Sequence, residues 1–319
     1  SHPGAPRALR RAVHGVLLLD KPLGLSSNDA LQKAKRLFRA EKAGHTGTLD
    51  PLADGLLPIC FGAATKFAQA SLDADKAYRA TLRLGERTAS FDRETPVIER
   101  RPVFVARGEV DDVCRRFLGD IEQLPPMYSA LKKDGKALYE YARAGQDVVR
   151  VARPVRIHRI EVLAFDAQSL VLDVACSKGT YIRTLADDIG QALGCGAHLA
   201  ALTRTGCGRL RLADALDLVA LEHMSQAERD ARLLPADVLV AELPALELDG
   251  EEAARFLTGL RRRVSDADAP SVRVYAAQPR AFLGLAHITA GELIADRLLS
   301  PPEVQACAAA GSREAELTL

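Results

Sequence analysis

Mixed strands and helices in two domains are what this sequence predicts, on three observations. The chain has 319 residues, about twice the length of an ordinary domain. Over its first 240 or so residues, short apolar runs of strand type alternate with stretches whose apolar residues repeat at helical spacing. From about Leu246 the texture changes to acidic residues and short alternating runs punctuated by glycine, the pattern of a small β-rich domain.

Composition narrows the class. Apolar residues make up 48% and charged residues 27%, ordinary for a folded, water-soluble protein and unlike a collagenous, coiled-coil or disordered chain. No stretch approaches the roughly 18 apolar residues of a membrane span, and SHPGAPRALRRAVHG has no apolar signal-peptide core, so the cytoplasm is the expected compartment. Cys60, Cys114, Cys176, Cys195, Cys207 and Cys307 are scattered without a C-x-x-C pair, which signals neither a disulfide framework nor zinc. Net charge is only +1, but it is unevenly spread. Residues 1–100 carry 16 basic against 11 acidic side chains, and residues 201–319 carry 13 against 18. A polyanion would therefore be met by a local patch toward the N-terminal half.

In chain order, residues 1–13 read as a loose N-terminal arm rich in Arg, Ala and Pro. Gly15 to Asp20 is a buried strand that enters a turn at Lys21-Pro22-Leu23-Gly24. Ser26 or Ser27 caps a helix whose apolar face is Leu31, Ala34, Leu37 and Phe38, with Lys33, Lys35, Arg36 and Arg39 largely elsewhere. Gly44 to Pro58 holds three glycines and two prolines in fifteen residues, which predicts a shaped loop rather than a continuous helix or strand. Lys76 to Leu84 alternates as a half-buried strand, and residues 109–119 read as a helix. Residues 125–152 are predicted to be a mobile, basic excursion with a short helix at Leu138 to Ala144. Val155 to Phe165 and Ser169 to Cys176 form a hairpin. Tyr181 to Leu193 is a helix stopped by Gly194, so Tyr181 and Arg183 stand at its entrance. In the last domain, Val272 to Tyr275 and Phe282 to Ile288 alternate, with Gly284 and Gly291 as turn points.

Several side chains invite chemistry, each beside a plainer reading. Asp50, in the glycine-rich loop, is a carboxylate that a loop can bring to a cleft as nucleophile or base, or it is half of an Asp-Pro turn. His45 can meet a base or simply be solvated. Tyr78 and Tyr181 offer surfaces on which a base can stack and phenols that exchange protons, or they pack in a core. Arg183 suits a carboxylate or a phosphate, or it is a surface arginine. Lys21 is most simply a turn residue. No P-loop, G-x-G-x-x-G or H-E-x-x-H is present, which removes the usual support for Walker-type phosphoryl transfer, Rossmann dinucleotide binding and zinc hydrolysis.

At Gly44-His-Thr-Gly-Thr-Leu-Asp-Pro-Leu-Ala-Asp-Gly-Leu-Leu-Pro58 the sequence closely resembles the catalytic motif of the TruB family of tRNA pseudouridine synthases. It is joined, in the family's order, by Gly15-Val-Leu-Leu-Leu-Asp-Lys-Pro22, Lys76-Ala-Tyr-Arg-Ala80, Pro125-Pro-Met-Tyr-Ser-Ala-Leu-Lys132 with Leu138-Tyr-Glu-Tyr-Ala-Arg143, and Cys176-Ser-Lys-Gly-Thr-Tyr-Ile-Arg183. The resemblance spans about residues 14–240.

The resemblance implies an α+β pseudouridine synthase fold with a mixed, largely antiparallel central sheet over residues 14–245. It also implies a small, β-rich, PUA-like RNA-binding domain over 246–319, of which the acidity is a departure. The implied reaction isomerises uridine 55 in the TΨC loop of tRNA to pseudouridine, with the base flipped out, its glycosidic bond broken and the base rejoined through C5. By the same resemblance Asp50 is the essential aspartate, acting by attack at C1′ or by driving elimination through a glycal. Arg183 pairs with that aspartate, and Tyr78 stacks on the target base and is placed for proton removal. His45 fills the space the base vacates, Tyr181 packs in the site, and Leu202 is an apolar wall. Lys21 lends support beside the substrate site, and residues 125–152, with Lys132, close over the T arm of tRNA. No cofactor and no metal are implied, nor an obligatory protein partner or a membrane, and a monomer is expected. The competing readings are a tRNA-folding factor with catalysis secondary and, more remotely, a small-molecule hydrolase using Asp50.

Overall fold

The computed structural model describes residues 9–129 and 132–317. These fall into two compact units interleaved along the chain. One takes Ser1–Asp50, Leu56–Asp73 and Gly208–Leu319, the other Pro51–Gly55 and Ala74–Cys207. Strands β1 (Gly15–Lys21), β2 (Ala43–His45) and β3 (Ala53–Phe61) open the chain with helix α1 (Ser27–Phe38). Next come β4 (Lys76–Leu84), helix α2 (Arg107–Arg116), β5 (Gly119–Gln123), β6 (Arg153–Phe165), β7 (Ser169–Cys176), helix α3 (Ile182–Leu193) and β8 (Ala197–Cys207). The C-terminal part holds β9 (Ala245–Leu248), helix α4 (Gly250–Leu257), β10 (Ala269–Ala277), β11 (Arg280–Thr289), β12 (Glu292–Leu298) and a last helix, Pro301–Leu317.

The expected α+β class is what the structure has: a mixed, largely antiparallel sheet and a separate β-rich C-terminal sheet. In the second unit the strand order is β8-β4-β7-β6-β5, antiparallel throughout, with the first residues of β3 pairing parallel to β8 at Leu202↔Ala53 and Arg204↔Gly55. β7 shows why the hairpin was legible in sequence: alternate residues Leu170, Leu172, Val174 and Cys176 are buried, while the residues between them are only half-buried. Those side chains meet Leu82, Leu84 and Ala80 of β4, Val110 and Val113 of α2, and Ile182, Leu185 and Ile189 of α3 in one core. Each buried aliphatic side chain contributes roughly 1.5–3 kcal/mol, so the core orders both helices on one face of the sheet. Gly194, at φ 83°, closes α3 as predicted.

In the first unit, β1 is buried nearly throughout and pairs in parallel with Leu216–Asp217. Ser26 is the N-cap of α1, its hydroxyl accepting from the N–H of Asp29 at 3.0 Å; Ser27 has another task. Phe38 at the end of α1 packs on Phe61 with ring centroids 4.8 Å apart. The C-terminal sheet runs β9-β10-β11-β12 with Arg262–Arg263 at its edge, over a core of Leu248, Phe256, Val274 and Ile288. It is joined to the rest of its unit through Phe67 against Phe282 and a 2.6 Å ion pair between Lys66 and Glu303.

The structure corrects four local expectations. Residues 44–58 are not one loop: β2 and β3 take both ends, and only 46–52 remains irregular. β3 passes through Gly55 because at φ 103° that residue brings the strand against the backbone of Arg204, where a Cβ would lie 2.4 Å from its carbonyl oxygen. Gly284 is not a turn but a mid-strand residue at φ 141°, pressed on the carbonyl of Arg297, whereas Gly291 does stand at a turn. Of the expected loose arm, residues 1–8 lie outside the described residues, and its remainder is tied down. Arg11 bridges to Ala40 and pairs with Asp230 at 2.9 Å. Finally, β5 and the eleven-residue β8 are strands that periodicity did not announce.

Candidate active site

The loop 46–52 is built from beneath. Thr46 and Ser71 are both buried, with their hydroxyls 3.2 Å apart, and the N–H of Thr46 donates to the carbonyl of Pro58 at 3.1 Å. Ser27, also buried, accepts from the N–H of Leu49 and donates to its carbonyl, both at 2.7 Å. Leu49 is itself buried, yet Asp50, the next residue, is exposed. The loop thus presents one carboxylate from an anchored backbone. Past it, the hydroxyl of Thr203 donates to the carboxylate of Asp54 at 2.5 Å. His45 is half-buried at the end of β2. Lys21 is fully buried, and its ammonium donates to the carbonyls of Pro22 at 2.8 Å and Leu25 at 2.6 Å, so it holds the turn that leads into α1.

Tyr78, Tyr181, Arg183 and Leu202 belong to the second unit, whereas Asp50, His45 and Lys21 belong to the first. On β4 and β8, Tyr78 lies directly opposite Arg204, and Ala80 opposite Leu202. All four therefore point to one face of the sheet, with Tyr78 and Leu202 diagonal neighbours. Arg204 is 2% exposed and hydrogen-bonds the phenol of Tyr78. Burial nevertheless outweighs that cation and pushes the phenol up to about 12, so Tyr78 is a neutral phenol at physiological pH.

At the mouth of α3, the buried side chain of Gln123 holds the backbone of Tyr181 from both sides, accepting from its N–H at 2.9 Å and donating to its carbonyl at 3.2 Å. The phenol of Tyr181 is also raised, chiefly by burial. Two residues on, Nη1 of Arg183 donates to the carbonyl of Tyr128 at 2.7 Å and lies 3.7 Å from the carboxylate of Asp92. Asp92 is in turn held by the hydroxyl of Ser90 at 2.6 Å and the N–H of Glu94 at 2.8 Å. The carboxylate placed at Arg183 within this unit is thus that of Asp92. Lys132 lies in a two-stranded hairpin, Lys132–Lys133 with Lys136–Ala137. The excursion around it carries bonds of its own, from Arg150 to the carbonyl of Pro125 and from Lys133 to that of Val149, both at 2.7 Å.

Sequence reasoning missed Asp92, Arg204, Gln123 and the second role of Ser27. Each acts through a partner far along the chain, and a spacing rule sees only neighbours a few residues apart. The one available signal was the pair Ser26-Ser27, since a helix needs a single N-cap and the second hydroxyl is left for something else.

Comparison with known proteins agrees with this architecture. Residues 35–182 match the description "TruB family pseudouridylate synthase (N terminal domain)". Residues 183–241 match "tRNA pseudouridylate synthase B C-terminal domain", and residues 244–299 match "Pseudouridine synthase II TruB, C-terminal". A Burkholderia mallei protein named tRNA pseudouridine synthase B is 55% identical over 301 residues, covering 92% of this chain and 96% of its own. A protein of the same name from Cupriavidus pinatubonensis is 55% identical over 304 residues, with the same coverage. Among solved structures, a chain of a Cbf5-Nop10-Gar1 complex superposes with a TM-score of 0.72 at 25% identity, over 91% of this chain and 87% of that one. With motif, fold and more than half its residues in common with these relatives, this chain belongs to the TruB family of pseudouridylate synthases.

Proposed function

We propose that this chain isomerises uridine 55 in the T arm of tRNA to pseudouridine, with Asp50 as the essential carboxylate. The observation that carries the reading is the 55% identity, over 96% of their length, to proteins named tRNA pseudouridine synthase B. The site's geometry suits the task, since Asp50 stands exposed on a loop whose backbone is pinned at Leu49. A uridine inside the folded T loop must leave its stack before a side chain can reach it, at a cost of a few kcal/mol. Tyr78 and Leu202, diagonal on one sheet face, then offer the ring and the apolar wall for the extruded base.

The chemistry balances without a co-reactant. The C1′–N1 bond breaks, the base turns, C1′–C5 forms, and the proton lost from C5 is matched by one gained at N1. Asp50 supplies the carboxylate that attacks C1′ or drives elimination, and Arg183, held by Asp92, matches by resemblance the family's arginine that orients that carboxylate. Tyr78 enters as a neutral phenol, so it receives the C5 proton only if the docked base first draws its own proton away, a loss that Arg204 directly opposite favours. Residues 125–152, with Lys132, contact the T arm, the β-rich C-terminal domain adds a PUA-like RNA contact, and the enzyme works as a monomer in the cytoplasm, where tRNA is.

The test incubates the protein with unmodified tRNA transcript and with the same transcript carrying cytidine at position 55, and maps pseudouridine by carbodiimide-blocked primer extension. A single new stop at that position, absent with cytidine and with Asp50→Asn, is the expected result. Tight tRNA binding without any stop would overturn the proposal in favour of a folding factor.

A further inference from the structure

We propose that Ser27 is a positioning residue for Asp50, an inference that rests on the reading of Asp50 as the reacting aspartate. Ser27 is 3% exposed, and its single hydroxyl group makes two bonds to one residue: it accepts the N–H of Leu49 and donates to the carbonyl of Leu49, both at 2.7 Å. Those two groups belong to successive peptide planes. The second plane is the Leu49–Asp50 peptide itself, so the hydroxyl restrains both backbone torsions of Leu49 and thereby the Cα of Asp50. The leucine side chain, 4% exposed, fixes the same point from the other direction. What remains to be set when substrate arrives is the φ torsion of Asp50 and its two side-chain torsions.

The arrangement is more than loop packing. A buried loop N–H and C=O each need a partner, and two separate groups would serve as well. Using one hydroxyl for both makes the distance between the two bonds as short as the chain allows, which is a constraint on direction. Ser27 is itself in the first turn of α1, whose cap is Ser26, so its place is set by the helix while its hydroxyl is free for Leu49. Thr46, four residues before Asp50, rests on Ser71 in the same unit and steadies the start of the loop. Since misplacement of a reacting group by about 1 Å costs on the order of 10²-fold in rate, the geometry predicts that the hydroxyl is felt in the chemical step and not in tRNA binding.

The experiment compares Ser27→Ala with Ser26→Ala, which removes the cap of the same helix but leaves the Leu49 bonds intact. Single-turnover rate on unmodified tRNA, tRNA affinity, thermal midpoint and amide exchange at Leu49 are measured for both, beside Asp50→Asn. Ser27→Ala is expected to lose 10- to 100-fold in rate with affinity within 2-fold and with faster exchange at Leu49, while Ser26→Ala lowers the midpoint and keeps its rate within 2-fold. If Ser27→Ala does not fold, Ser27→Cys, of nearly the same volume but a much weaker hydrogen-bonding group, takes its place with the same expectations. An unchanged rate in the Ser27 variant, or equal losses in both serine variants, overturns the inference while leaving Asp50 in place. A rate in Asp50→Asn equal to that of the wild type overturns the reading of Asp50 and the inference with it.

Discussion

The carbonyl of Tyr128 accepts a hydrogen bond from Nη1 of Arg183 at 2.7 Å, and this ties the basic excursion to the first turn of α3. The same guanidinium lies 3.7 Å from Asp92, whose side chain is 11% exposed. A cation so placed links that segment to a carboxylate fixed by Ser90 and by the N–H of Glu94.

Asp92→Asn should therefore be costly out of proportion to its size. It keeps an oxygen for Ser90 but withdraws the charge opposite Arg183, a pair in a mostly buried setting. A loss of about 1–3 kcal/mol in stability is expected from urea unfolding, with a rate loss of about 10-fold. Arg183→Lys, which keeps the charge but not the fork, should expose residues 125–152 to faster proteolysis and lower the rate further.

Asp50→Asn should abolish turnover and leave the fold alone. The side chain is exposed, and surface substitutions of this kind stay within about 0.5 kcal/mol, so the thermal midpoint should move by no more than about 2 °C. A large fall in the midpoint would mean that the carboxylate is structural.

Tyr78 makes stability depend on alkaline pH. Its phenol is raised to about 12 from an ordinary 10, so between those values the folded chain holds a proton that the unfolded chain has lost. The stabilisation is fully present below pH 10 and is lost as pH rises through 12, amounting to roughly 2 kcal/mol. Tyr78→Phe should show a shallower loss over that window in denaturant titrations, and one phenol fewer among the late-ionising tyrosines at 295 nm.

Asp188 works in the same sense in a lower pH window, around neutrality. Burial, with Asp187 adjacent, pushes its carboxyl up to about 6, so the protonated form is the one the fold prefers. Below about pH 4 that preference costs nothing; as pH rises through 6 the folded state is penalised. Asp188→Asn should therefore stabilise the protein at pH 7–8 by about 1 kcal/mol, after discounting for its partial exposure, and make no difference at pH 4.

Gly55→Ala tests the strand that leaves the loop carrying Asp50. At φ 103°, with a Cβ 2.4 Å from the carbonyl of Arg204, alanine meets both torsional strain and a backbone clash. A loss of at least about 2 kcal/mol is expected by urea unfolding, together with a slower rate, because β3 begins three residues after Asp50.

Much of this was legible along the chain, because the signals were local. The alternation of β7, the capped and glycine-stopped helices, and the loop motif around Asp50 are all written within a few residues, and local spacing is what side-chain period and turn chemistry respond to. β8 was not legible. Burial along its residues AHLAALTRTGC does not alternate regularly, since bulges interrupt its pairing with β4 at Leu199/Ala201 and Arg204/Gly206. Pro58 and Gly55 argued against a strand that exists because its neighbours hold it.

By itself, the sequence determined the mixed α and β class, the β-rich C-terminal part and the family motif that carries Asp50, all properties of short contiguous segments. Only the tertiary structure decided that Arg183 faces Asp92, that a buried Arg204 stands opposite Tyr78, and that Ser27 grips Leu49. Those contacts join residues 22 to 126 positions apart, and their energy comes from pairing polar groups in a low-dielectric interior, which offsets the cost of taking them out of water and which no single segment can do alone.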